Sequence, residues 1–155
     1  MSRRKVEIRT LAPDYKYKSV EVTSLINHVM LNGKKSLAQS IVYGAFDILT
    51  KEGMDPLASY LEALKNVKPF WNLRYRRMGG STNTIPRQAS PRQAESRGVK
   101  NIVLAARNRS DSYVMLEKLA SEIKDAIKGK GEAMAQKENI DKTAKANQAF
   151  ANLNW

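Results

Sequence analysis

From Ser19 onward, apolar residues recur at intervals of three and four. Val22, Leu25, Ile26, Val29 and Met30 fall on one helical face, and Asn32-Gly33 supplies a left-handed stop. A second helical stripe follows with Leu37, Ile41, Ala45, Ile48 and Leu49, ended by Gly53. Asp55 reads as the cap of a third helix, with Pro56 at its first position, where a missing amide hydrogen costs nothing. Leu57, Leu61, Leu64 and Val67 form its inward face until Pro69.

The period then changes from about 3.6 to two. Trp71, Leu73 and Tyr75 alternate with Asn72, Arg74 and Arg76, Gly79-Gly80 marks a turn, and Thr82, Thr84 and Ile85 resume β-favouring residues. This predicts a two-stranded hairpin over about 70–89, and Pro86 is tolerable because both strands of a lone ribbon are edges. A helical pattern returns after Pro91 with Ala94, Val99, Ile102, Val103 and Ala106. Ser110-Asp111-Ser112 offers caps for a helix carrying Met115, Leu116, Leu119, Ile123 and Ile127, closed near Gly129 and Gly131. A last helix runs from about Glu132 towards Phe150, its stripe being Ala133, Ile140, Ala144 and Asn147.

The fold class expected is therefore mainly α: a six-helix, bundle-like domain with a projecting β-hairpin between helices three and four. Residues 1–18 are polar, aperiodic and broken by Pro13, and read as a flexible basic arm ahead of a single domain at 19–155. At 155 residues one core suffices.

Charge turns this outline toward function. Residues 65–109 carry eleven lysines and arginines against one acid, Glu95, a formal +10 of the chain's +12. Residues 1–64 hold nine basic and seven acidic side chains, and residues 110–155 seven of each. So localised a charge repels itself, and its usual reason is a polyanionic partner. Eight arginines lie in this stretch (Arg74, Arg76, Arg77, Arg87, Arg92, Arg97, Arg107 and Arg109), and guanidinium forks bind phosphate bidentately and stack on bases. In the hairpin they interleave with aromatics, a combination suited to RNA, in which unpaired bases stack on rings. Trp71 and Leu73 are also expected to pack on the body, whereas Arg74, Arg76 and Arg77 cannot all be explained that way.

Other chemistries are poorly served. Cysteine is absent and His28 is the sole histidine, which removes thiolate and clustered-imidazole metal sites. No cofactor is expected. Gly33-Lys34-Lys35-Ser36 resembles the end of a phosphate-binding loop, but His28 stands where glycine is required. The two lysines at a helix start form either an anion site or a plain interhelical turn. Carboxylates such as Glu117, Glu122 and Asp125 sit beside lysines in a solvated register, and with no nucleophile beside a base an enzyme is not expected. No apolar run approaches the roughly 18 residues of a membrane span, so no membrane partner is expected, and Met-Ser-Arg-Arg-Lys is not followed by the apolar stretch of an export signal.

Five strings carry a resemblance. They are Lys34-Lys35-Ser36-Leu37-Ala38, Asn66-Val67-Lys68-Pro69, Arg76-Arg77-Met78-Gly79-Gly80-Ser81-Thr82, Ile102-Val103-Leu104-Ala105-Ala106-Arg107 and Ala146-Asn147-Gln148-Ala149-Phe150-Ala151. In this order and spacing the chain resembles the family of small-subunit ribosomal protein seven, and Trp155 looks like the end of the bacterial form.

That resemblance implies a non-enzymatic RNA-binding protein that nucleates the 3′ major (head) domain of small-subunit ribosomal RNA. Its hairpin would lie near exit-site transfer RNA and messenger. The RNA-binding set it implies is Arg3, Arg4 and Lys5 in the arm, Lys34 and Lys35 in the turn, Arg74, Arg76 and Arg77 at the hairpin base, and Arg92, Arg107 and Arg109 on the following helix. Met78, Gly79, Gly80 and Ser81 would form the tip near transfer RNA and messenger. Implied protein neighbours are the ninth and eleventh small-subunit proteins, with the thirteenth and nineteenth nearby.

The chain departs from the family pattern in three places. Pro86-Arg87-Gln88-Ala89-Ser90 replaces alternating valines, predicting a short or frayed second strand; Asn101 stands where an aromatic is common, and Asn154 where arginine is usual. Such drift points to a fast-evolving lineage such as an organelle genome, with the gene read inside that organelle. The ribosome would then lie in bacterial cytoplasm or in an organelle's matrix or stroma. The rival expectation from another class is a helical DNA-binding regulator, since short helices joined by tight turns can hide a helix-turn-helix.

Overall fold

The computed structural model describes residues 10–152. Its elements run α1 (Val20–Val29), α2 (Lys35–Lys51), α3 (Pro56–Val67), β1 (Trp71–Met78), β2 (Ser81–Gln88), α4 (Pro91–Asn108), α5 (Met115–Ile127) and α6 (Glu132–Ala146), followed by a 3₁₀ turn at Gln148–Asn152. The mainly helical class and the hairpin's place between α3 and α4 are as the periodicity predicts.

Local chemistry explains the boundaries. The Ser19 hydroxyl accepts from the Val22 amide (3.4 Å) at the start of α1, and Asp55 accepts from Leu57 (3.1 Å) ahead of Pro56. Ser90 and Gln93 form a reciprocal capping box at α4, with Pro91 at its first turn. Asn32 (φ 52°) and Gly33 (φ 74°) take the left-handed turn between α1 and α2. At α5 the expected cap shifts: the helix begins after Val114, whose amide donates to Ser112 Oγ (3.1 Å), while the Ser112 hydroxyl donates to the Glu117 carboxylate. The last helix also ends earlier than its pattern suggests. Asn147 donates back to the Thr143 carbonyl (2.9 Å), and the chain continues as the 3₁₀ turn.

The core lies around α5, which packs on α2, α3 and α4. Tyr60, Phe46, Leu25, Ile26, Leu49, Leu64, Ile102, Leu119 and Ile123 are fully buried. Two stripes are rotated from the expected faces. Leu37 and Leu61 are exposed, while α2 buries Ala38, Val42, Ala45, Phe46 and Leu49, and α3 buries Ser59, Tyr60, Ala63, Leu64 and Val67. Ala38, Ala45 and Ala63 are buried beside Phe46 and Tyr60, the largest fully buried side chains, so these faces are set by how large and small residues interlock with the neighbouring helices.

Within the expected arm, residues 12–17 are docked on the body. Thr23 Oγ1 donates to the Ala12 carbonyl (2.9 Å), Asp14 accepts from the amides of Lys16 and Tyr17 and from the Tyr43 hydroxyl (2.8 Å), and Tyr17 meets Phe46 edge-on at 5.1 Å. Asp14 is accordingly buried.

The second strand is neither short nor frayed. β2 pairs with β1 over all eight residues, from Trp71↔Gln88 to Met78↔Ser81. Gly79 (φ 56°) and Gly80 (φ 86°) both have positive φ, the type I′ geometry that matches strand twist. The pairs alternate between hydrogen-bonded and open, and the Ala89 amide bonds the Phe70 carbonyl (2.9 Å) one step beyond the strands. Counting from there, Leu73↔Pro86 is an open pair, so the proline's missing N–H interrupts nothing. Ile85 and Pro86 are buried, and the 3₁₀ turn lies on β2 while α6 touches β1, giving the ribbon the support a lone hairpin lacks.

Candidate nucleic-acid interface

α4 has two opposed faces. Gly98, Val99, Asn101, Ile102, Val103, Ala105 and Ala106 are buried, whereas Arg92, Gln93, Ser96, Arg97 and Lys100 form a polar stripe at helical spacing. This stripe makes one wall of an open cleft of about 650 Å³; Pro69, Trp71 and Asn72 at the start of the hairpin make the other. Arg97 Nη2 donates to Asn72 Oδ1 (3.2 Å), tying hairpin to helix across it. Gly98 permits the neighbouring approach of α3, since a Cβ there would lie 3.1 Å from Leu64 Cδ1 and 3.5 Å from the Lys68 Cα.

Three cations, amide and hydroxyl groups and an indole thus converge on one concavity. Nearby carboxylates are sparse: Glu95 lies on the α1 side of α4, where it lines an adjoining groove with Leu11, Val20 and His28, the two concavities meeting at Arg92 and Ser96. His28 itself is held between helices, its Nδ1 2.8 Å from the Ser24 carbonyl and its Nε2 3.4 Å from Ser96 Oγ.

The residues of the implied RNA-binding set are distributed unequally. Of that set only Arg92 lines the cleft. Arg3, Arg4, Lys5 and Asn154 lie outside the described residues. Lys34 and Lys35 are exposed at the α1–α2 turn, and Lys34 makes no side-chain cap bond. Arg74 lies midway along β1 and Arg76 and Arg77 lie nearer its tip, and the strand period separates them. Arg74 and Arg76 share a face with Asn72 and Arg87, while Arg77 points the other way with Tyr75. Arg74, Arg77 and Tyr75 are exposed and Arg76 is half-buried. Gly79, Gly80 and Ser81 form an exposed tip beside Met78.

The two arginines at the end of α4 are turned inward. Arg107 Nη2 donates to the carbonyl oxygens of His28 (3.4 Å) and Val29 (3.2 Å), satisfying the open end of α1. Arg109 reaches Glu122 and Asp125 through Nη1 (2.7 Å each) and Asp111 through Nε (2.9 Å). Partial burial would lower its pKa, but the hydrogen bonds it donates to Asp125, Glu122 and Asp111 hold it above the ordinary arginine value. Glu122 is only 1% exposed, and its other oxygen accepts from the Ala133 amide in the first turn of α6 (3.1 Å). At Gly131, just before that turn, a Cβ would fall 2.8 Å from Glu122 Oε1. The Glu122 and Asp125 carboxylates, expected on a solvated face, therefore form the counter-charge of an internal joint.

Asn66 has a similar structural use. Its amide donates to the Ala126 and Ile127 carbonyls (3.2 and 3.3 Å), and its own carbonyl accepts from Lys137 Nζ (2.6 Å), joining the ends of α3 and α5 to α6.

Gln93, Ser96, Arg97 and Lys100 do not stand out as site residues in the sequence, although their spacing from Arg92 carries the signal. No group of three or more His, Cys, Asp or Glu able to hold a metal occurs among the described residues. Among the same residues, no helix is long and apolar enough to cross a membrane.

Comparison with known proteins finds relatives along nearly the whole chain. A family model described as ribosomal protein S7p/S5e matches residues 1–148. The chain is 48% identical over 151 residues to small ribosomal subunit protein uS7 of Thermoanaerobacter sp. (strain X514), covering 97% of this chain and 96% of that one. It is 49% identical over 148 residues to the uS7 of Caldanaerobacter subterraneus subsp. tengcongensis, covering 95% and 94%. With the uS7 of Allorhizobium ampelinum it shares 40% identity over 157 aligned positions, covering both chains completely. A match along nearly the whole chain, on a helical body with one basic hairpin, places this protein in the ribosomal protein S7p/S5e family.

Proposed function

We propose that the protein is a structural constituent of the small ribosomal subunit that binds small-subunit ribosomal RNA as a primary assembly protein. On this reading it nucleates the 3′ major (head) domain, and its hairpin tip, Met78 to Ser81, lies near exit-site transfer RNA and messenger. The carrying observation is the cleft in which Arg92, Arg97 and Lys100 face the hairpin base within a helix otherwise committed to the core. Such a surface neutralises phosphates of more than one RNA segment while a rigid helix fixes their relative position. Lys34, Lys35, Arg74, Arg76 and Arg77 extend the cationic surface around it. Neighbouring contacts with the ninth and eleventh small-subunit proteins, and with the thirteenth and nineteenth, belong to the same reading. So does a ribosome in bacterial cytoplasm or in an organelle that encodes the protein.

Membership of a ribosomal family gives no support to a DNA-binding regulator, and the basic residues are deployed on a hairpin and its flanking helix rather than on a dimeric recognition helix. The test is competition binding at roughly physiological salt between the 3′ major domain RNA, an unrelated RNA of equal length and duplex DNA. A clear preference for the ribosomal domain is expected. Equal binding to all three would reduce the protein to a general polyanion binder.

A further inference from the structure

We infer that the cleft between the hairpin base and α4 receives one unpaired nucleotide of the bound RNA, its base stacked on Trp71 and its phosphate held by Arg92 and Lys100. The inference rests on the RNA-binding reading and adds a specific ligand to it. Several observations carry it.

The cleft's 650 Å³ lies within the range of sites that enclose a small ligand and is ample for a single nucleotide. Its lining combines a ring with hydrogen-bonding groups that suit a base edge, Gln93 and Ser96, and with cations placed along one helix face. Paired RNA keeps its bases stacked inside and offers phosphates and 2′-hydroxyls over a wide, shallow groove, so a concave pocket walled by an indole has no use for it. An unpaired base has both an exposed ring face and a free edge.

Trp71 is available for that role. It stands perpendicular to Phe70 (86°, centroids 5.0 Å apart), an arrangement in which at least one indole face is not covered by Phe70. The buried anchors of the hairpin are Ile85 and Pro86 on the other strand, whereas Trp71 is only half-buried. Arg97 spends one of its donors on Asn72, so Arg92 and Lys100 are the principal phosphate ligands, with the Arg97 charge beside them. Neither of two other grooves has this combination: one, which adjoins the cleft through Arg92 and Ser96, sets the Glu95 carboxylate beside that arginine and has no indole, and the other, between α5 and the end of α2, has Glu52, Met54 and lysines but no ring.

The test uses the full chain with Trp155→Phe, so that Trp71 is the only tryptophan. Its emission is followed while a single-stranded oligoribonucleotide, or the same sequence as a blunt duplex, is added at equal phosphate concentration. The single strand is expected to quench Trp71 strongly and the duplex weakly. In binding assays Trp71→Leu should lose about tenfold in affinity for the single strand and little for the duplex, while Trp71→Phe keeps most of the preference. Circular dichroism checks that the variants are folded, and the quenching measurement stands without them.

Equal quenching by both RNAs, or equal losses for both with Trp71→Leu, would overturn the inference and leave Trp71 as a support of the hairpin. Normal preference for the 3′ major domain RNA with an unquenched Trp71 would overturn it alone. Loss of all RNA binding by the unaltered protein would overturn the RNA-binding reading as well.

Discussion

The two ends of α4 carry the same residue type and opposite assignments. At the start, Arg92 and Arg97 line an open cleft with Lys100; at the end, seventeen residues after Arg92 along one helix, Arg109 is clasped by three carboxylates and Arg107 closes α1. In the sequence all four belong to one undifferentiated basic run. The difference lies in what each end meets: the start follows a projecting ribbon and faces open space, whereas the end is surrounded by α1, α5 and the start of α6. An arginine that enters a packed joint has already given its fork to the protein, and it has little left for phosphate.

The sharpest way to break this contrast is Arg109→Ala. It would leave Glu122 buried without its counter-charge, so a loss of about 3 kcal/mol is expected, seen as a fall in Tm on the order of 10 °C. RNA affinity of the remaining folded protein should change little. A stable variant with weakened RNA binding would instead return Arg109 to the interface.

The converse experiment is Arg92→Ala with Lys100→Ala. Stability should stay within about 0.5 kcal/mol, as is usual for exposed positions. The dependence of log affinity on log salt should become shallower by about 0.7 to 0.9 for each phosphate that is no longer neutralised. The same titration on the Arg74, Arg76 and Arg77 triple alanine variant asks whether the distal hairpin contributes; an unchanged slope would remove it from the interface.

A smaller effect tests the buried side of the same helix. Asn101 is 5% exposed and its Nδ2, a buried polar atom, has no hydrogen-bond partner. Asn101→Leu should raise stability by about 1 kcal/mol, read from urea unfolding, without altering RNA affinity. Destabilisation by that change would show that the amide has a use the packing does not reveal.

An effect of similar size provides a reference away from α4. Partial burial, with the hydrogen bond to Asp14, pushes the Tyr43 hydroxyl up to about 12. The unfolded chain ionises its tyrosines near 10, so this contribution to stability is complete below about pH 10 and is lost as pH rises toward 12. Tyr43→Phe should therefore cost about 1 kcal/mol near neutrality and flatten the alkaline part of the stability curve. Identical curves for both proteins above pH 10 would contradict the assignment.

Much of the fold is legible in the chain because its signals are short-range. Ser19, Asp55 with Pro56, and Ser90 with Pro91 mark helix starts through bonds to amides two or three residues on. Gly79-Gly80 sets the hairpin register through its own φ angles. The faces of α2 and α3 are misleading in the sequence because Leu37 and Leu61 continue a plausible stripe. Only the docking of neighbouring helices favours Val42, Phe46 and Tyr60 instead. The candidate site is legible as a charged stretch but not as a place. Arg97 is one basic residue among many until its bond to Asn72 puts it across a cleft.

By itself, then, the sequence determined the helical periodicity, the turns, the hairpin and the concentration of positive charge in residues 65–109. Each of these is written in backbone preferences and side-chain spacing over a few residues. Only the tertiary structure decided which charges remain available to a partner. Arg109 meets Glu122 and Asp125 thirteen and sixteen residues away, and Arg107 meets carbonyls nearly eighty residues back along the chain. Charge is a property of a residue; its freedom to bind depends on what folding brings beside it.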